Sequence, residues 1–177
     1  TPIAAVAAML LAPVLGAGLG RVALPVATAI MALAFALPGQ AAAVWLFPLA
    51  MMGCGAATGL TDVLMNARTA QIENERGLHL MNLTHAAYSF GYAGGALGTG
   101  LLRSWAWTPD WVMGTMAVLG LCLAAGTVER DGRIHGLRRP KGAGAAGLGL
   151  VPVIGGGMVL IAFMTENAAE NWSALHI

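Results

Sequence analysis

Six long runs of apolar residues, each nearly free of charge, follow one another along this chain at about residues 1–16, 19–37, 41–66, 80–102, 109–128 and 145–164. A helix of roughly 20 apolar residues crosses the hydrocarbon core of a bilayer. In that solvent every backbone N–H and C=O must be satisfied within the segment or by a closed barrel. Barrel strands alternate apolar and polar residues over about ten positions, whereas these runs are continuous and rich in Ala, Leu and Gly. The expected fold is therefore an all-α membrane protein of six transmembrane helices.

Composition agrees. The 177 residues are 58% hydrophobic and only 10% charged, against about 25% charged in an ordinary soluble domain. Nine Lys and Arg against eight Asp and Glu give a net charge of +1. That balance lacks the basic footprint a nucleic-acid partner requires. Cys54 and Cys122 each sit inside an apolar run and read as small packing residues rather than a disulfide or metal pair. No metal or cofactor is expected. The first run is short for a span and has no Met or charged region before it, so the chain is expected to be a piece of something longer.

Alternating the six spans puts Arg21, the region 68–76 and the loop 129–141 on one side, with eight of the nine basic residues. By the positive-inside tendency that side is cytoplasmic, and the first run then enters from outside. The loop 129–141 reads as a cytoplasmic linker between two helical bundles; its Arg and Lys also suit anionic lipid headgroups.

Ionisable residues within spans are functional candidates by default, because charge at membrane depth is costly. Asp62 is the clearest. With Thr58, Asn66 and Thr69 it forms a polar stripe at helical spacing. A carboxylate there either carries a proton for part of the time or pairs with Arg68 or Arg76 as a structural clamp. In the next span Asn82, His85, Ser89, Tyr92 and Thr99 recur on one face, with Tyr88 on its flank. This stripe suits the lining of a wet cavity and is expected near Asp62. Among its residues Gly91, Gly94, Gly95 and Gly98 form small-xxx-small pairs, so Gly91, Gly95 and Gly98 are expected at close helix contacts. The Gly16–Gly20 motif has no preceding strand and is not a nucleotide loop. In the last run Gly155-Gly156-Gly157 predicts a bend or unwinding. Glu166 and Glu170 follow on one face, and Trp172 suits an interfacial anchor. Hydrolase, metalloprotease and phosphate-loop motifs are lacking, so no enzyme is expected.

Three stretches together resemble the major facilitator superfamily, in the branch around the fucose–proton symporter and its bacterial relatives. They are Gly59-Leu60-Thr61-Asp62-Val63-Leu64-Met65-Asn66, then Met81-Asn82-Leu83-Thr84-His85-Ala86-Ala87-Tyr88-Ser89-Phe90-Gly91, and Glu166 followed six residues later by Trp172-Ser173-Ala174-Leu175. They are similar to that branch's fourth, fifth and seventh helices. The resemblance implies that the chain holds helices two to seven of a twelve-helix transporter. Residues 1–128 would complete the N-terminal bundle, 129–145 the cytoplasmic central loop, and 146–177 a truncated seventh helix, with helix one and helices eight to twelve supplied by the rest of the transporter. It further implies a proton-coupled secondary transporter in the plasma (bacterial inner) membrane, moving a small polar solute such as a sugar. Asp62 would couple the proton; Asn66, Asn82, His85, Tyr88, Ser89, Tyr92 and Glu166 would line the solute path. His85 and Tyr88 stand where the sugar symporter has amides. The alternative from the residues alone is a non-transporting membrane assembly subunit, whose polar stripes serve only helix–helix hydrogen bonding.

Overall fold

A computed structural model describes residues 2–137, 149–150, 153–158, 161 and 164–165. The chain forms two compact units, Thr1–Arg138 and Arg139–Ile177. Among the described residues all regular structure is helical.

The first unit contains five α-helices: α1 (Pro2–Leu19), α2 (Ala23–Ala36), α3 (Leu46–Arg76), α4 (Met81–Ser104) and α5 (Pro109–Gly126). The apolar stretch Ile3–Gln40 is long enough to cross a membrane. At 1.5 Å per residue it would extend about 57 Å, nearly twice a bilayer core. It folds instead into two helices about a 3₁₀ turn at Gly20–Val22, where Gly20 takes φ +61°. A residue with a Cβ is strained in that left-handed conformation. The break falls a little later in sequence than the apolar pattern predicts. Similarly, α3 starts at Leu46 rather than Ala41, because Leu37–Gln40 forms another 3₁₀ turn. α3 ends at Gly77, φ +64°, whose N–H reaches the carbonyl of Glu73 at 2.8 Å. α5 begins with Pro109 at its first position, where the absent N–H is tolerated.

Helix directions follow from the contacts. A Cβ built on Gly59 would lie 2.5 Å from the carbonyl oxygen of Ala5, and one on Gly16 would lie 2.5 Å from Leu64. α1 and α3 therefore run parallel. Cys54 donates through Sγ to the carbonyl of Ala34 at 3.3 Å, while Ala23 and Ala27 pack with Leu60 and Leu64. α2 is thus antiparallel to α3. α5 is antiparallel to α2, since Gly120 meets Ala32 and Gly39 meets Pro109, Asp110 and Met113. The interior is built largely of alanine: Ala12, Ala23 and Ala27 are fully buried around Leu64. Small side chains let these helices approach closely, which is how apolar helices gain packing energy without a hydrophobic drive between them. The large apolar side chains, among them Leu33, Phe35, Leu49, Val118 and Leu123, point outward and are exposed.

Among the described residues, three helical stretches are long and apolar enough to cross a membrane: Ile3–Gln40, Leu46–Arg76 and Pro109–Gly126. α4 corrects the expectation of a fully apolar span at 80–102. Its 24 residues are long enough, but its mean hydropathy is too low, because the polar stripe and five glycines dilute it. None of its residues is buried.

The glycine expectation is corrected as well. Among the described residues nothing lies within 4 Å of a Cβ built on Gly91 or Gly95, and Gly98 makes an ordinary 3.8 Å contact with Met116 of α5. A small residue permits a close approach without requiring one. Two close approaches pair small residues, Gly59 against Ala5 and Gly120 against Ala32, and a third lets the Leu64 side chain seat against Gly16.

In the second unit Leu150, residues 153–158, Ile161 and residues 164–165 are helical, and Thr165 Oγ1 donates to the carbonyl of Ile161 at 2.9 Å. Gly155-Gly156-Gly157 continue the helix, correcting the expected unwinding. Glu166, Glu170 and Trp172 lie outside the described residues.

Candidate functional site

The polar groups of α3 lie toward the end shared with the Gly20–Val22 turn and the segment after α5. Asp62 is half-buried, and Asn66 Nδ2 donates to its Oδ1 at 3.1 Å. The four-residue spacing places the two side chains one above the other on the same helix face. Asn66 Oδ1 is buried with no protein partner among the described residues, as is the hydroxyl of the buried Thr61 one turn away. Thr69 is buried and Thr58 exposed, so the predicted stripe dips from the surface into the interior. The Asp62–Asn66 column offers one carboxylate held by an amide whose oxygen is unpartnered, and the unpartnered Thr61 hydroxyl lies on a neighbouring face of α3.

Asp62 does not clamp Arg68. The Arg68 guanidinium, buried at 9% exposure, forms an ion pair with Glu129 and also donates to the carbonyl of Asp131 at 2.8 Å. Its Nε is buried and unpartnered among the described residues. The clamp thus joins α3 to the segment following α5. Residues 129–137 pack onto the first unit beyond it. Ile134 is buried at 5% exposure, and Gly132 sits against the carbonyl of Arg21. The His135 N–H reaches Gln71 Oε1 at 3.0 Å. Arg21, Arg68 and the segment 129–137 share one end of the helices, the arrangement that alternating spans require. An open groove of about 540 Å³ runs along this end, lined by Ala67, Ala70, Gln71, Asn74, Glu75 and residues 135–137. Gln71 crosses it and donates to Glu75 at 2.6 Å.

The turn from α3 to α4 is held by one carboxylate. Glu73 Oε1 accepts the backbone N–H groups of Leu80 and, at 2.7 Å, Met81. α4 begins without a capping side chain of its own, so Glu73 satisfies amides the helix leaves open.

The α4 candidates Asn82, His85, Tyr88, Ser89 and Tyr92 all stand exposed on one side of the helix. Ser89 Oγ donates within α4 to the carbonyl of His85 at 3.1 Å. The hydrogen bond of Asp62 goes to Asn66 of its own helix, not to Asn82 or His85. The expected proximity of the two stripes is therefore corrected at the level of direct contact. The half-buried positions Thr84, Gly95, Gly98 and Leu102 occupy a different face of α4, the one turned toward α3 and α5. Glu166, the remaining candidate, lies outside the described residues.

The sequence offers Arg68 or Arg76 as a partner for Asp62 and leaves Glu129 in a linker. The available signal was the side assignment, which had put both residues at one end. The buried acceptor of Thr61 carried no such signal, since it lies off the Asp62 stripe. Compared with protein-family models, curated proteins and solved structures, the chain matches none.

Proposed function

We propose that the chain is part of a proton-coupled secondary transporter of the major facilitator kind, passing several times through the plasma (bacterial inner) membrane and moving a small polar solute such as a sugar. The observation that carries this reading is the half-buried Asp62–Asn66 pair. It lies within a helix long and apolar enough to cross a membrane. A permanent charge at that position is costly, and protonation removes it. Asn66 suits both states. Its amide nitrogen donates to the carboxylate, and its amide oxygen can accept from the protonated acid after rotation. The open acceptors Asn66 Oδ1 and Thr61 Oγ1 are what a hydroxyl-rich solute would engage. Solute binding and protonation would then be linked through their differing affinities for the two states. The exposed α4 groups His85, Tyr88 and Ser89 would meet the solute when the other helices of the transporter close around them.

The test uses the intact transporter in proteoliposomes with an imposed pH gradient and radiolabelled monosaccharides, fucose first. Uphill uptake is expected in the unsubstituted protein. Asp62→Asn should abolish it while leaving counterflow exchange, which needs no net proton movement. Normal uphill uptake in the variant overturns the proton role. No uptake of any solute by the unsubstituted protein favours the assembly subunit.

A further inference from the structure

Trp45, Trp105, Trp107 and Trp111 come from three separate stretches of sequence and converge on one end of the first unit. Trp45 precedes α3, Trp105 and Trp107 follow α4, and Trp111 lies in the first turn of α5. The contact of Gly39 with Pro109 and Asp110 ties the α2–α3 connection to the start of α5, so all four belong to the same end. Their rings are not core: they are 67%, 62%, 38% and 68% exposed. The opposite end holds Arg21, Arg68, Glu129 and Asp131. Between the two ends the outer surface carries many large exposed apolar side chains, among them Leu33, Phe35, Leu49, Val118 and Leu123.

A second feature singles out the same end. Ala106, between Trp105 and Trp107, takes φ +62°, the one positive φ at a non-glycine position among the described residues. Such a conformation is strained for a residue with a Cβ and persists only where its surroundings fix it. Here Arg103 Nη1 donates to the carbonyl of Trp107 at 2.6 Å, and the N–H of Trp107 returns to the carbonyl of Leu102 at 3.2 Å. The strained turn holds two indoles at the rim.

We propose that this rim sits in the headgroup–acyl boundary of a lipid bilayer, with the four indoles as its anchors and the Arg68–Glu129 end at the opposite boundary. An indole is large and apolar yet carries one N–H donor, so it favours the boundary over both water and hydrocarbon. The spacing fits. Along α5 from Trp111 to its end at Gly126 is about 22 Å, and from Trp45 to Arg68 along α3 is about 34 Å, lengths on either side of a hydrocarbon core of about 30 Å. The same arithmetic puts Asp62 about 26 Å from the tryptophan rim, a few ångströms inside the charged boundary. The inference rests on the membrane reading and not on transport.

The test is depth-resolved fluorescence quenching of the full chain in phosphatidylcholine vesicles, brominated on the acyl chain either near the headgroup or near the terminal methyl. Variants retain one of the four tryptophans, with every other tryptophan replaced by phenylalanine. Each retained indole should be quenched about twofold more strongly by the shallow bromine than by the deep one. The unsubstituted chain should show the same ranking, which keeps the test decisive if a variant fails to reconstitute. Equal or stronger quenching by deep bromine overturns the proposal. So does strong quenching by aqueous iodide with none by bromine. Vesicles that pass this test but show no solute uptake would remove the transport reading and leave the rim in place.

Discussion

Replacing Glu129 by glutamine should destabilise the first unit more than replacing Arg68 by methionine. The reason is an asymmetry of exposure, since the Arg68 side chain is 11% exposed and that of Glu129 41%. Glu129→Gln keeps the shape but removes the counter-charge, leaving a buried guanidinium with the carbonyl of Asp131 and an amide. Hydrogen bonds to charged groups contribute about 1.5–3 kcal/mol, and a buried charge stripped of its partner keeps its full desolvation cost. The partial exposure of Glu129 screens part of the pair, so a loss of about 1.5 kcal/mol is expected, somewhat more than tenfold in the unfolding equilibrium. Arg68→Met removes the cation itself and leaves Glu129 free to turn into water, which should cost about 1 kcal/mol. The assay is SDS-driven unfolding of the full chain in mixed micelles, followed by circular dichroism, on both variants and their combination. The double variant should fall short of additivity by about 1 kcal/mol. The reasoning is refuted if Glu129→Gln costs no more than Arg68→Met, or if the two effects add.

Two further outcomes follow from packing and capping. Gly59→Ala should destabilise by about 2 kcal/mol, because its Cβ would stand 2.5 Å from the backbone of Ala5 and α1 must shift. In the same unfolding assay Gly95→Ala should be neutral or stabilise by up to about 1 kcal/mol, since its position is open and alanine favours a helix. Glu73→Ala should cost about 1 kcal/mol by freeing the amides of Leu80 and Met81. Hydrogen exchange should localise that loss to the first turn of α4.

What the sequence determined by itself is an all-helical chain with runs long and apolar enough to cross a membrane, and which of its loops share one helix end. Apolarity is summed along each run, so long uncharged stretches specify membrane-length helices whatever their neighbours do. Sidedness needs only counting, because consecutive spans alternate. That count placed Arg21, Arg68 and residues 129–137 together before any contact was known. That Asp62 and Asn66 share a helix face was legible for the same local reason, a four-residue spacing; their hydrogen bond was not among the expectations. Tertiary structure alone decided which partner each group took. Arg68 and Glu129 lie 61 positions apart, and nothing local separates their pairing from one with Asp62. Nor could a run of glycines announce its neighbour. α4 presents four between Gly91 and Gly98, yet the tight approaches fall at Gly59 and Gly120. A glycine removes an obstacle on one helix, whereas contact requires a second helix to bring a residue to the same height, as Ala5, Leu64 and Ala32 do at Gly59, Gly16 and Gly120.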